Sequence, residues 1–188
     1  MKPKLEGINR NIAIIGFSNV KIPNIETMLF QFREENKEAP IQFFDAKHIA
    51  GTQHLYFAAI HALNALNKKT NISNNIAIEA LLYASAQRQI KKAVKMLGIN
   101  QETTEVVILI IAKNSQEKQN YLNLVAQIMS GERNDNVIEL TDKKIAAIKK
   151  MFKISDKEFK TNLKKEGLEK DVITDLILEH MALLVTKS

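Results

Sequence analysis

The sequence predicts an α/β domain, with a small central mixed sheet of about four to five strands, helices packed around it and a helical insert in the middle of the chain. Three observations carry this expectation. Val106 to Ile111 is β-branched and apolar without alternation, so both of its faces should be buried in mid-sheet. Strand-length apolar runs alternate with segments whose apolar residues recur at helical spacing, in the order β-α-β-ααα-β-α-β-αα. Three consecutive helices fall between the second and third strands. With 188 residues and 45% hydrophobic content the chain can bury one sizeable core, so a single domain over 1–188 is expected.

Asn11 to Phe17 reads as the first strand. Pro23 opens a helix over Asn24 to Arg33, with Ile25, Met28, Leu29 and Phe32 at helical spacing. Pro40 stops the chain and leads into a strand at Ile41 to Phe44. Thr52 is the expected N-cap of a helix from Gln53 to Asn67, whose Ala58, Ala59 and Ala62 give a small-residue stripe for close packing. After a polar turn come an apolar helix from Ile76 and a basic-striped helix ending at Gly98, where a left-handed C-cap is expected. Beyond the central strand lie a helix over Gln116 to Met129 and an alternating, more exposed strand at Asn136 to Leu140. Thr141 caps a helix to Phe152, Ser155-x-x-Glu158 is a capping box, and Asp171 to Val185 forms the terminal helix.

The most informative stretch runs from Ile76 to Leu97. Its first half carries one charge, Glu79, among hydrophobic residues and must be covered on most sides. In its second half Ile90, Ala93, Val94 and Leu97 recur at i, i+3, i+4 and i+7, and Arg88, Lys91, Lys92 and Lys95 repeat that spacing two residues earlier. Two residues turn a helix by about 200°, so an apolar stripe and a cationic stripe should lie back to back.

The net charge of +6 falls in two places. Between Gln87 and Leu97 there are four cations and no acids, and between Asp142 and Lys170 ten lysines face five acids. Cationic surfaces of this kind favour a polyanion, most often nucleic acid, through counterion release, and the alternative is a solvated lysine-rich face. Zero cysteines exclude disulfides, thiolate catalysis and Cys-ligated metal. No apolar run approaches the length of a membrane span and no secretory pattern precedes the first strand, so a cytoplasmic protein is expected. The glycines are isolated, which gives no phosphate loop, and no nucleophile turn is present. His54 and His61 share a helix face without an acidic companion, so neither a metal nor another cofactor is expected.

The stretch Glu79 to Gly98, E-A-L-L-Y-A-S-A-Q-R-Q-I-K-K-A-V-K-M-L-G, resembles the signature of the small kinase-binding subunit of the KEOPS complex, the TPRKB family, in its archaeal form. Ala50 to Ala62 is similar to that family's helix with a histidine followed by small residues, and Val106 to Ile111 falls where the family has its central strand. The resemblance covers His48 to Ala112 and loosens beyond. Ser155 to Lys170 is longer and more basic than the usual family connection, so nothing is carried over there. The resemblance implies a non-catalytic subunit that binds the small atypical, PRPK-like kinase of the complex and, through it, the other subunits. It further implies recruitment of tRNA by its single-stranded 3′ CCA tail, in support of threonylcarbamoyladenosine modification catalysed elsewhere, with no membrane or small-molecule substrate.

Candidate RNA-binding residues are Arg88, Ile90, Lys91, Lys92, Lys95 and His54, the last matching the family's recurrent histidine, for which packing is the other role. Arg88 can fork onto phosphate or stack on a base as lysine cannot, and can equally pair with the solitary Glu79. The terminal helix has a narrow acidic stripe, Asp171, Asp175 and Glu179, among apolar residues. It offers Ile173, Ile177, Leu178, Met181, Leu184 and Val185 as a kinase interface, unless it is simply sandwiched in its own fold. The rival expectation is a small nucleotide-binding or hydrolytic enzyme that gathers Glu79, Arg88 and His54 in a cleft.

Overall fold

A computed structural model describes residues 10–35 and 39–184. Strand β1 spans Asn11–Ser18, helix α1 Ile25–Glu35 and strand β2 Ile41–Asp45. Then come α2 (Thr52–Lys68), α3 (Ile76–Ala84) and α4 (Ile90–Leu97), followed by β3 (Val106–Ala112) and α5 (Ser115–Ile128). A two-residue β4 (Glu132–Arg133) precedes α6 (Asp142–Phe152), α7 (Asp156–Asn162) and α8 (Glu169–Ala182). None of the described helices is long and apolar enough to cross a membrane.

The strand order is β2-β3-β1-β4. The α/β class and the four strands agree with the sequence, but every pairing is antiparallel, so the sheet is not mixed. The reason lies in the connection: β1 and β2 run in the same direction with one strand's width between them, and the three-helix insert returns the chain so that β3 fills the slot in the opposite sense. β3 is buried along its whole length, as its unbroken apolar run requires. Val107, Leu109 and Ile111 face a core built by α2, α3, α4, α6 and α8. Val106, Ile108, Ile110 and Ala112 face a smaller core beneath α1 and α5. Helices on both faces, rather than parallel pairing, dictate the pattern.

Four local expectations are corrected. Asn136 to Leu140 is not a strand; residues 135–138 form a 3-10 turn, because Asn134 caps it through Asn136 N–H and the Asp135 carboxylate accepts the Gly16 N–H at 2.9 Å. The turn presses on β1 so closely that a Cβ on Gly16 would lie 2.4 Å from the Asn134 carbonyl oxygen. Gly98 is extended, with φ −70° and ψ 157°, and is needed for space, since a Cβ there would meet the Val94 carbonyl oxygen at 2.5 Å. Gly51, not Thr52, is the N-cap of α2. Finally, α4 starts at Ile90 with Gln89 as its N-cap, so Arg88 precedes the helix. The Ser155–Glu158 capping box forms as expected.

Candidate functional site

The site is built on the α3–α4 elbow. Asn75 caps α3 by accepting from Ala77 N–H at 2.9 Å and Ile78 N–H at 3.1 Å. The helix that follows is buried from Glu79 to Ala84, as its composition demands. Glu79 does not pair with Arg88. Its fully buried carboxylate accepts the Ile72 N–H at 3.1 Å and the Ser73 N–H at 2.7 Å, latching the preceding turn onto α3. A carboxylate can be buried there because backbone donors replace its water. Ala86 then takes a left-handed conformation, φ 50°, which ends α3 and aims the chain into α4.

His54 holds the elbow from below and is 0% exposed. Its Nδ1 accepts the Ala50 N–H at 3.2 Å, so Nε2 carries the proton and donates to the Ala84 carbonyl at 2.8 Å. The ring meets Phe152 edge-on, with centroids 5.7 Å apart. Burial pushes its pKa down to about 4, only partly offset by the bond to Ala84. An RNA role for His54 is therefore corrected to a packing role. Nor do Glu79, Arg88 and His54 converge on a cleft: two are buried on backbone partners, and Arg88 Nη1 instead donates to the Leu184 carbonyl at 3.3 Å. No enzyme site is built from these three.

On α4 the two stripes stand on opposite sides of the helix, as the spacing predicts, but the apolar one is only partly covered. Ala93 and Leu97 are buried, but Ile90 and Val94 are 44% and 46% exposed. At about 100° per residue, Ile90 and Val94 form an apolar edge, with Lys91 and Lys95 about 100° further round and Lys92 beyond them. All three lysines are exposed. The outward surface therefore carries apolar contacts and cations side by side, with Arg88 at the mouth of the elbow. The periodicity identified the apolar set, yet an eight-residue helix has room to bury only part of it.

The chain matches the family model described as kinase binding protein CGI-121 over residues 17–184. It belongs to the CGI-121 family of kinase-binding proteins. One relative is the regulatory protein Cgi121 of Methanocaldococcus jannaschii, 30% identical over 113 residues, which cover 60% of this chain and 70% of that protein. The family match takes in the elbow, α4 and the whole of α8, and agrees with the resemblance read from Glu79 to Gly98.

In this CGI-121 chain the terminal helix is largely inward. Ile173, Ile177 and Met181 are 0% exposed and Leu184 2%, so these four pack the protein's own core and offer no docking surface. Helices α2, α6 and α7 pack around α8, which explains why its sequence is apolar on two sides. Leu178 is half-buried, and Val185 lies outside the described residues. Leu183, which the periodicity did not single out, is 42% exposed at the helix end, next to the carbonyl that Arg88 holds.

Sequence reasoning also missed Lys144. It is buried in a cleft of about 640 Å³ near Asp45, His48 and Glu105, and its Nζ donates to the Val137 carbonyl at 2.5 Å. Burial lowers its pKa, opposed by Glu105, Asp45 and Glu139. The available signal was its place on the apolar side of α6, one turn before Ile148. Among the described residues no cluster of three or more His, Asp or Glu side chains could hold a metal ion.

Proposed function

We propose that this CGI-121 chain is a non-catalytic KEOPS subunit that docks the complex's small atypical kinase and recruits tRNA through the 3′ CCA tail, in support of threonylcarbamoyladenosine modification in the cytoplasm. The observation that carries the RNA half is the outward surface of α4, where exposed Ile90 and Val94 lie beside Lys91 and Lys95. Unstacked bases offer faces to an apolar edge while their phosphates reach adjacent ammonium groups, an arrangement an A-form helix does not permit. Arg88 has one nitrogen committed to Leu184 and keeps further N–H donors for phosphate or base edges. The kinase half follows from the family, and its contact is assigned to the outer end of α8 around Leu178 and Leu183.

The deciding experiment is tRNA binding by Lys91→Glu/Lys92→Glu/Lys95→Glu at several salt concentrations, with intact and CCA-trimmed tRNA. The unmodified chain should prefer intact tRNA by at least tenfold. The triple variant should lose that preference and show a salt slope shallower by about 2, because each lost phosphate contact removes about 0.7 released counterions on a single strand. Equal affinity for trimmed and intact tRNA, or an unchanged slope in a folded variant, refutes this assignment.

A further inference from the structure

A second basic surface lies on α6, α7 and the segment that follows, between Asp142 and Lys170. The acids on the two helices themselves are engaged, and Glu166, beyond α7, is exposed beside Lys164 and Lys165. Asp156 pairs with Lys149 at 2.7 Å and Asp142 with Lys170 at 3.5 Å. One Glu158 oxygen accepts the Ser155 N–H of the capping box, and the other faces His180 at 3.4 Å. Lys149 is further held over the Phe159 ring, 4.3 Å from its centroid. Lys150, Lys153, Lys157, Lys160, Lys164 and Lys165 are exposed and have no ion-pair partner among the described residues, so the outward field is theirs. Lys150 and Lys153 lie near one another on the outer arc of α6, and Lys157 and Lys160 are i, i+3 neighbours on the outer side of α7.

We infer that this surface grips the sugar-phosphate backbone of double-stranded RNA beside the single-stranded tail held at α4. The inference rests on the RNA-recruiting function proposed above and extends it to the duplex. The two surfaces meet at one support. α7 reaches α8 through Glu158 and His180, and Arg88 reaches the Leu184 carbonyl four residues on, about one turn away. A single RNA passing from tail to duplex would cross that junction.

The chemistry favours phosphate over a lipid surface. A helix that lies on a membrane needs an outward apolar face, and neither α6 nor α7 exposes a large hydrophobic side chain; their Ile148 and Phe152 are buried and Phe159 is half-buried under Lys149. Lysine ammonium groups without aromatic neighbours on the surface give a duplex grip that is independent of sequence.

The test uses the whole chain, a blunt RNA hairpin without an overhang, a short single strand ending in CCA, and acidic phospholipid vesicles. Lys150→Glu/Lys157→Glu/Lys160→Glu should bind the hairpin at least tenfold more weakly, with a salt slope shallower by about 2 to 3, while single-strand binding stays within twofold. The corresponding triple arginine variant should retain hairpin binding. Failure of the unmodified chain to bind the hairpin, undiminished binding by the glutamate variant, or vesicle binding in its place would each overturn the inference. If the single strand is not bound while hairpin binding still depends on these lysines, the α4 assignment falls and this surface stands.

Discussion

Replacing His54 by glutamine tests the elbow most directly, because the imidazole works only in its neutral form. Protonation would place an N–H on Nδ1 against the Ala50 N–H that it now accepts, inside a site with no water-facing edge. Burial lowers the folded-state pKa from 6.5 to about 4, whereas the unfolded chain keeps the ordinary value. Between those values the unfolded state binds the extra proton, so the contribution is fully present above pH 6.5 and is lost as pH falls towards 4. At about 1.4 kcal/mol per unit, the loss approaches 3 kcal/mol by pH 4.5. Urea unfolding of the two proteins from pH 7.5 to 4.5 isolates this contribution, since the carboxylates titrate in both. The stability gap should be constant above pH 6.5 and shrink by that amount below it. tRNA affinity at pH 7.5 should match within twofold, because the ring faces no solvent. A gap that stays flat across the range, or an imidazole resonance that titrates near 6.5, would refute the packing role.

Three further outcomes are expected. Glu79→Gln keeps the shape of the latch but exchanges a carboxylate that accepts two backbone N–H groups for an amide, which should cost about 2 kcal/mol in urea unfolding. No loss of stability would mean that the turn before α3 needs no latch. Met181→Glu should unfold the chain or cost more than about 3 kcal/mol by burying an unpaired carboxylate. Leu183→Glu, at an exposed position, should leave stability within about 0.5 kcal/mol and weaken kinase binding at least tenfold if the outer end of α8 is the dock. Unaltered kinase affinity in Leu183→Glu moves the contact elsewhere.

The scaffold was legible because its signals are local and strong. Val106 to Ile111 announced a strand covered on both faces, and Ile76 to Ala84 a helix covered nearly all round; both lie where they were expected. Strand direction was not legible, since burial looks the same whether a neighbour runs parallel or antiparallel. Asn136 to Leu140 misled because alternation is a weak signal over five residues, and the competing event is tertiary. Asp135 reaches back 119 residues to the Gly16 N–H, a contact no local window contains.

The site was read less well than the scaffold, for a related reason: periodicity tells which residues share a face but not whether that face is covered. On α8 the apolar excess pointed to a partner, and the partners turned out to be α2, α6 and α7 of the same chain. On α4 the same pattern pointed to burial, and half of the stripe is in solvent. The two errors have opposite sign and one physical origin. A 14-residue helix crossed by three others can bury apolar residues on several sides, whereas an eight-residue helix at the rim can bury only the edge that touches its neighbour. Apolar side chains left uncovered at such a rim, next to cations without acidic neighbours, make a surface that stability alone does not call for. That mismatch between pattern and burial, rather than the pattern itself, is what the RNA-binding proposal for α4 rests on, and the burial of the inner face of α8 removes the matching argument there.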